Sequence, residues 1–289
     1  MSFPHPPTVL KRLGLKPKKS LGQHFLLYPH QARRLAQALN PPVNAVIVEI
    51  GGGLGALSLF LLPRAERLLI LEADQVLAAF LQQELFAHQT RVTVLCQDVL
   101  TFDFLTFSRQ TGAPLQLAGN LPYHLTSPLL VKLMQEKAAL AQALLMLQQE
   151  VGDRLLAHPG SKDYGILSVL LQYHFALTRL FTLGPANFYP PPQVNSVVLR
   201  LVPQQFEPPA TDEQLLAHLV KTAFGKRRKT LKNTLVAQAS AFGLTREQML
   251  AALTDLDLDP SRRGETLSVE QFVRLSNRLS HQGAVRCFY

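Results

Sequence analysis

Several short segments of this chain carry groups suited to chemistry, and each follows an apolar run. Glu49-Ile-Gly-Gly-Gly-Leu-Gly-Ala56 comes directly after Ala45–Ile50. Glycines there allow positive φ and let a ligand approach the main chain at the start of a helix, where free N–H groups gather. Glu72 ends a second apolar run and Asp98 follows a third, Val92–Leu95. A carboxylate at the first position can accept both ribose hydroxyls, and one at the second can meet an adenine amine. This is an adenosine-binding pattern, although Gly51-x-Gly53-x-x-Ala56 also fits the dinucleotide fingerprint of dehydrogenases. A tight strand–helix turn without a ligand is the plain alternative. Asn120-Leu121-Pro122-Tyr123, after a fourth run, separates these readings. The amino nitrogen of adenine is a poor nucleophile because its lone pair is delocalised into the ring. A side-chain carbonyl and a backbone carbonyl before a rigid proline can hold its hydrogens and favour a more tetrahedral nitrogen. The ring of Tyr123 can stack on the base. Taken alone, the tetrapeptide reads equally as a proline turn with a core tyrosine. After a glycine-loop sheet it points to methylation of an exocyclic amine.

The elements that must deliver these residues can be read from periodicity. Pro29–Leu39 reads as a helix stopped by Asn40-Pro41-Pro42, and Ala45–Ile50 as a buried strand. Leu57–Leu62 reads as helix, Leu68–Leu71 as strand, and Gln75–Phe86 as an amphipathic helix. Val92–Leu95 and Leu115–Ala118 read as further strands, and residues 143–149 and 193–202 hold two or three more. Strand and helix alternating in this way imply a parallel sheet with crossover helices. Pro203–Pro209 reads as a linker, and beyond it the period is helical, with Leu215, Leu216, Leu219, Val220 and Ala223 in one stripe. Thr245-x-x-Gln248 and Ser268-x-x-Gln271 each fit a capping box. The expected organisation is a mobile basic arm over 1–20, an α/β domain over 21–203 and a small all-helical domain over 204–289.

At 289 residues with 47% hydrophobic content, the chain can bury a real core. Two cysteines, Cys96 and Cys287, give no disulfide scaffold, and no Cys/His cluster has metal-site spacing. The apolar stretches fall far short of the roughly 20 residues a membrane helix needs. A soluble protein of a reducing compartment is expected. The formal charge of +9 is unevenly placed. Residues 1–34 carry seven Lys/Arg and no acid, residues 35–202 carry ten against eleven, and residues 203–289 carry twelve against nine. A near-neutral body between basic ends suggests a polyanionic partner, nucleic acid being the commonest. An acid-free N-terminus also fits an organelle transit peptide, but informative residues begin by Ser20.

The chain resembles the KsgA/RsmA family of small-subunit rRNA adenine dimethyltransferases. The resemblance rests on Lys18-Lys-Ser-Leu-Gly-Gln-His-Phe-Leu26, Glu49-Ile-Gly-Gly-Gly-Leu-Gly, Gly119-Asn-Leu-Pro-Tyr123 and Phe188-Tyr-Pro-Pro-Pro192. Arg227-Arg-Lys-Thr-Leu-Lys-Asn-Thr-Leu235 and Arg262-Arg-Gly-Glu-Thr-Leu267 extend it to the C-terminal part. Gly52 stands where that family often has proline, and Ser58 where it often has threonine; both departures are expected to be small. The resemblance implies a Rossmann-like class I methyltransferase sheet flanked by helices, plus a helical C-terminal rRNA-binding domain. It implies S-adenosylmethionine as methyl donor and no metal. His24, Leu26, Gly51, Glu72, Asp98 and Asn120 would bind the donor. Asn120, Leu121, Tyr123 and Phe188 would be catalytic, with Phe188 stacking on the face of the target base opposite Tyr123. Lys16, Lys18, Lys19, Lys221, Lys226, Arg227, Arg228, Lys229 and Lys232 would meet rRNA phosphates, although a charge run is ordinarily a solvated face.

The implied activity is N6,N6-dimethylation of two adjacent adenosines near the 3′ end of 16S rRNA in a small-subunit particle, with a role in subunit biogenesis. A monomer in the cytoplasm is expected, an organelle stroma or matrix remaining open. An Erm-type 23S rRNA methyltransferase would share the glycine loop and the Asn-Leu-Pro-Tyr chemistry. A non-catalytic assembly factor would not need Asn120, Tyr123 and Glu72 intact. A nicotinamide oxidoreductase on the same sheet has no use for Asn120–Tyr123.

Overall fold

The structure, a computed structural model, describes residues 2–18, 21–226 and 228–281. The chain divides into two compact units, Met1–Gly152 with Ala176–Pro203, and Asp153–Phe175 with Gln204–Tyr289.

The first unit is built on a mixed sheet. Its strands in chain order are β1 Phe25–Leu26, β2 Ala45–Ile50, β3 Ala65–Glu72, β4 Val92–Cys96, β5 Leu115–Asn120, β6 Leu140–Gln148, β7 Phe175–Leu183, β8 Phe188–Tyr189 and β9 Ser196–Pro203. Seven of them form one sheet in the order β4-β3-β2-β5-β6-β9-β7, while β1 pairs separately with β8. Strands β2 to β6 pair in parallel, and β9 runs antiparallel to β6. Every residue of β2 is buried, Glu49 included. That is the pattern of a central strand covered on both faces by crossover helices. The helices of this unit begin with α1 Pro6–Arg12, α2 Pro29–Leu39, α3 Ser58–Leu61 and α4 Gln75–Phe80. They continue with α5 Phe104–Thr111 and α6 Thr126–Gln135, and α7 Gln149–Leu155 crosses the unit boundary. Helix α2 stops where Asn40 takes φ 41°, a left-handed conformation that asparagine tolerates.

In the first unit two expectations need correction, and one strand has no counterpart among them. The helix read over Gln75–Phe86 is α-helical only to Phe80 and then widens into a π-helical turn, Leu81–Leu85. The first 20 residues are not free of regular structure, because α1 starts on Pro6 and buries Leu10. Strand β7 was not foreseen: only its first and last residues are buried, so it shows no alternation.

The wide turn carries Leu81 and Leu85 onto the glycine loop. A Cβ built on Gly52 would overlap Ile70 and Leu81, and one on Gly55 would overlap Leu85. Gly52 is therefore more than a small departure from proline, since here the space of a Cβ is already filled. Gly52→Ala is expected to destabilise the fold by about 1–3 kcal/mol through overpacking. Urea unfolding would measure this, and an unchanged midpoint would contradict it.

The second unit is helical among its described residues, with α8 Ile166–His174, α9 Glu213–Phe224, α10 Leu231–Thr234, α11 Arg246–Thr254 and α12 Val269–His281. The stripe read from sequence is the buried face of α9. Both capping boxes form. Gln248 N–H donates to Thr245 Oγ1 at 3.2 Å and Thr245 N–H to Gln248 Oε1 at 2.8 Å. The Ser268–Gln271 pair does the same at 3.1 and 3.0 Å. Residues 153–175, expected in the first domain, belong to this unit. In sequence the apolar run opening α8 reads as well for a buried strand as for a helix.

Candidate active site

The chain leaves β2 in one direction across the sheet to β3 and reaches β5 on the other side. A crevice opens at such a switch point, beyond the carboxyl ends of the strands. Its walls include Gly51–Gly53 after β2, Glu72 at the end of β3, Asp98 after β4, and Asn120 and Pro122 at β5. His24 and Leu26, from the N-terminal segment, complete it.

Glu72 is fixed by the backbone it supports. Its Oε2 accepts from Gly53 N–H at 2.7 Å and its Oε1 from Asp74 N–H at 2.8 Å. Burial pushes its carboxyl above the ordinary range, while the N–H groups of Asp74 and Gly53 pull the other way. Asp74 is buried, caps α4 through Val76 N–H, and holds the N-terminal segment through Lys18 Nζ at 2.8 Å and Gln23 Nε2 at 3.2 Å. Burial alone would raise the Asp74 carboxyl, but Lys18, Val76 N–H and Gln23 together hold it below its usual value. Asp98 is exposed and accepts from Leu100 N–H through Oδ1 at 2.9 Å, which leaves Oδ2 for a ligand amine. Gly51 has φ 75° and turns the chain out of β2. A side chain at Gly53 would press on Phe25.

The Asn120–Tyr123 loop is held by the same N-terminal segment. Asn120 Nδ2 donates to His24 O at 2.8 Å, so its Oδ1 is the atom left to accept from an amine. The His24 ring stacks on Tyr123, with centroids 5.7 Å apart and 30° between planes. His24 Nδ1 lies 2.7 Å from Pro190 O. Burial pushes the Tyr123 hydroxyl up, partly offset by its bond to Ser196. Leu121 is buried, and its N–H donates to Met146 O at 3.0 Å.

Phe188 departs from expectation. It is 3% exposed, packs within the apolar core and pairs across β1–β8 with Leu26. In this arrangement its ring has no open face for a base, because the β1–β8 pairing turns it inward. Tyr189, its neighbour, is exposed.

The basic candidates divide. Lys16, Lys221, Lys226, Arg228, Lys229 and Lys232 are exposed. Lys18 is engaged by Asp74 and serves the N-terminal clasp. Lys19 and Arg227 lie outside the described residues. In the second unit the two C-terminal motifs meet: Leu231 N–H donates to Arg262 O at 2.7 Å, Lys232 N–H to Pro260 O at 2.9 Å, and Thr230 bridges Arg263. Gly160 N–H joins them through Glu265 O at 2.7 Å, which adds Lys162 beside Arg228 and Arg263 in one cleft.

Sequence reasoning did not single out Gln23, Asp74 or Glu49 as site residues. Glu49 is 2% exposed and lines the crevice, and its Oε2 has no hydrogen-bond partner. Burial pushes its carboxyl up to about 8, with Ser58 pulling down and Glu72 adding to the rise. Its position at the start of the glycine motif was the available signal. Among the described residues, no His/Cys/Asp/Glu group could hold a metal, and no helix is long and apolar enough to cross a membrane.

The crevice fits S-adenosylmethionine. It offers carboxylates for ribose and adenine amine, a glycine cradle, apolar walls and an unpaired buried oxygen, with no Lys or Arg among its described lining residues. Fold and site together define an S-adenosylmethionine-dependent class I methyltransferase. Residues 14–281 match the family model described as ribosomal RNA adenine dimethylase, and the chain belongs to that family. It is 40% identical to "Ribosomal RNA small subunit methyltransferase A" of Geobacter metallireducens, over 93% of this chain and 98% of that one. Identity to the protein of the same name from Bacillus mycoides is 39%, over 94% of each. Among solved structures, a dimethyladenosine transferase from Plasmodium falciparum superposes with a TM-score of 0.79 at 23% identity, covering 90% of this chain and 99% of that one. The 23S rRNA methyltransferase ErmE gives 0.67 at 22%, covering 89% and 99%. These two likenesses show the fold alone.

Proposed function

We propose that this chain dimethylates two adjacent adenosines near the 3′ end of 16S rRNA within a small-subunit particle, acting as a monomer in the cytoplasm. The observation that carries the reading is Asn120, fixed through Nδ2 to His24 O with Oδ1 left to accept, at the edge of the donor crevice. S-adenosylmethionine supplies an electrophilic methyl group. Asn120 Oδ1 and the Leu121 carbonyl before Pro122 orient the adenine amine for in-line attack, and Tyr123 stacks on the base. Positioning and electrostatics then supply the rate. No covalent enzyme intermediate is called for, and the amine loses its proton to solvent after transfer. Phe188 joins the stack only if the β1–β8 pair opens.

The name borne by the relatives supports the small subunit over the large, and the likeness to ErmE is one of fold. Offering the protein labelled donor with unmodified small and large subunits in separate reactions tests this. Label in small-subunit rRNA is expected; label confined to the large subunit would overturn the reading.

The exposed cations of α9, α10 and the turn between them would grip phosphates. Replacing Arg228 and Lys229 with Ala is expected to weaken binding to small subunits and to reduce the slope of log affinity against log salt by about one to two. An unchanged slope would make these side chains a solvated face.

A further inference from the structure

The N-terminal segment touches both halves of the reaction site. His24 and Leu26 line the donor crevice. The His24 carbonyl accepts from Asn120 Nδ2 at 2.8 Å, and the His24 ring stacks on Tyr123. Gly22, at φ 56°, lies flush on the same loop, since a Cβ built there would stand 3.3 Å from Pro122 Cβ. The segment begins in a turn closed on Lys18, whose carbonyl accepts from Leu21 N–H at 3.1 Å and whose N–H donates to Gln23 Oε1 at 2.8 Å. Two side chains of that turn converge on Asp74 Oδ2, Lys18 Nζ at 2.8 Å and Gln23 Nε2 at 3.2 Å.

Asp74 belongs to the donor side. Its N–H donates to Glu72 Oε1 at 2.8 Å and its Oδ1 accepts from Val76 N–H at 3.0 Å, so the carboxylate is fixed independently of the segment. The Asp74 side chain is 3% exposed, and that of Lys18 is 48% exposed. Removing the lysine therefore leaves a buried charge short of a partner, a larger loss than that of a pair on the surface.

We propose that Asp74 and Lys18 are a positioning pair for methyl transfer. They pin residues 21–26 between the Glu72 turn and the Asn120 loop, so that the His24 carbonyl keeps Asn120 Oδ1 turned toward the target amine.

An amide presents an acceptor at one end and a donor at the other. Without the His24 carbonyl to hold Nδ2, the Asn120 amide can rotate and offer the adenine amine a donor where an acceptor is needed. A misplacement of about 1 Å caused far from the chemistry can cost on the order of 100-fold in rate. The donor site suffers less, because Glu72 keeps its bond to Gly53 and Asp98 its bond to Leu100. The pair also separates two roles for Lys18. A phosphate contact sets affinity for RNA and its salt dependence, whereas a positioning residue sets the rate once both substrates are bound.

Because the pair acts through Asn120, it rests on the Asn120 loop being the transfer site, and the experiment separates the two. Lys18→Met is expected to lower the single-turnover rate, with S-adenosylmethionine and small subunits both saturating, by about 10- to 100-fold. Its affinity for small subunits, and the slope of that affinity with salt, should match wild type. Lys18→Arg, which keeps the charge, should restore most of the rate. Asp74→Asn should also be slow, and adding Lys18→Met to it should cost no more. In an Asn120→Ala background Lys18→Met should have no further effect. A wild-type rate in Lys18→Met, additive losses in either double variant, or a loss that lies only in weaker and less salt-sensitive subunit binding would overturn the pair and leave the transfer site intact. No transfer by wild type to small-subunit adenosine would overturn the transfer site and the pair with it. Should Asp74→Asn fail to fold, the rates of Lys18→Met and Lys18→Arg decide.

Discussion

Asn120→Ala is expected to slow methyl transfer at least ~10³-fold while S-adenosylmethionine affinity falls no more than about tenfold. The asymmetry follows from what each end of the amide does. Nδ2 binds His24 O at 2.8 Å, a contact that exists without substrate and ties the loop to the N-terminal segment. Losing one such bond costs about 0.5–1.5 kcal/mol, and that sets the limit on the donor side. Oδ1 matters most when the adenine amine becomes tetrahedral and its hydrogens need directed acceptors. That interaction is stronger in the transition state than in the ground state, so its loss appears in the rate. Single-turnover transfer and equilibrium dialysis separate the two effects. A variant within tenfold of the wild-type rate would remove Asn120 from the catalytic machinery.

Glu72→Gln is expected to weaken donor binding by ~100-fold, with the rate at saturating donor close to that of wild type. Each carboxylate oxygen already accepts a backbone N–H, from Gly53 and from Asp74. A hydrogen bond to a charged group is worth about 1.5–3 kcal/mol. In Gln the amide nitrogen would face one of those N–H groups, donor against donor, and the glycine loop would lose its shape as the ribose lost its acceptor. Fold stability should change less than affinity, because removing a buried charge relieves desolvation and offsets part of the loss. Calorimetric titration checks the affinity; a change below about threefold would place the ribose elsewhere.

The sheet was legible where burial wrote a continuous apolar run. Ala45–Ile50 is β2 to the residue, because a central parallel strand must be apolar on both faces. The carboxylates at the end of β3 and just after β4 and the Asn120 loop at the end of β5 were legible for the same reason: the ends of successive strands share one edge. What escaped depends on partners remote in sequence. Strand β7 lacks alternation, and the π-helical turn at Leu81–Leu85 is visible only with the glycine loop beneath it. Phe188 reads as a stacking aromatic beside prolines, yet a two-residue pairing with Phe25–Leu26 turns it into the core. Lys18 reads as one more phosphate contact, yet Asp74, which nothing in the sequence singles out, holds it to the body. The basic residues on either side of the Thr230–Arg263 bridge are far apart in sequence, and nothing local announces that they meet.

Whether the Asn120 loop directs methylation of adenine in small-subunit rRNA is decided by mapping the bases that the protein modifies. Unmodified small subunits are incubated with S-adenosylmethionine and the protein, and the rRNA is digested and mapped by mass spectrometry. N6,N6-dimethyladenosine is expected at two adjacent positions near the 3′ end of 16S rRNA, and none with Asn120→Ala. Modification of any other base, or of adenosines elsewhere only, would contradict it.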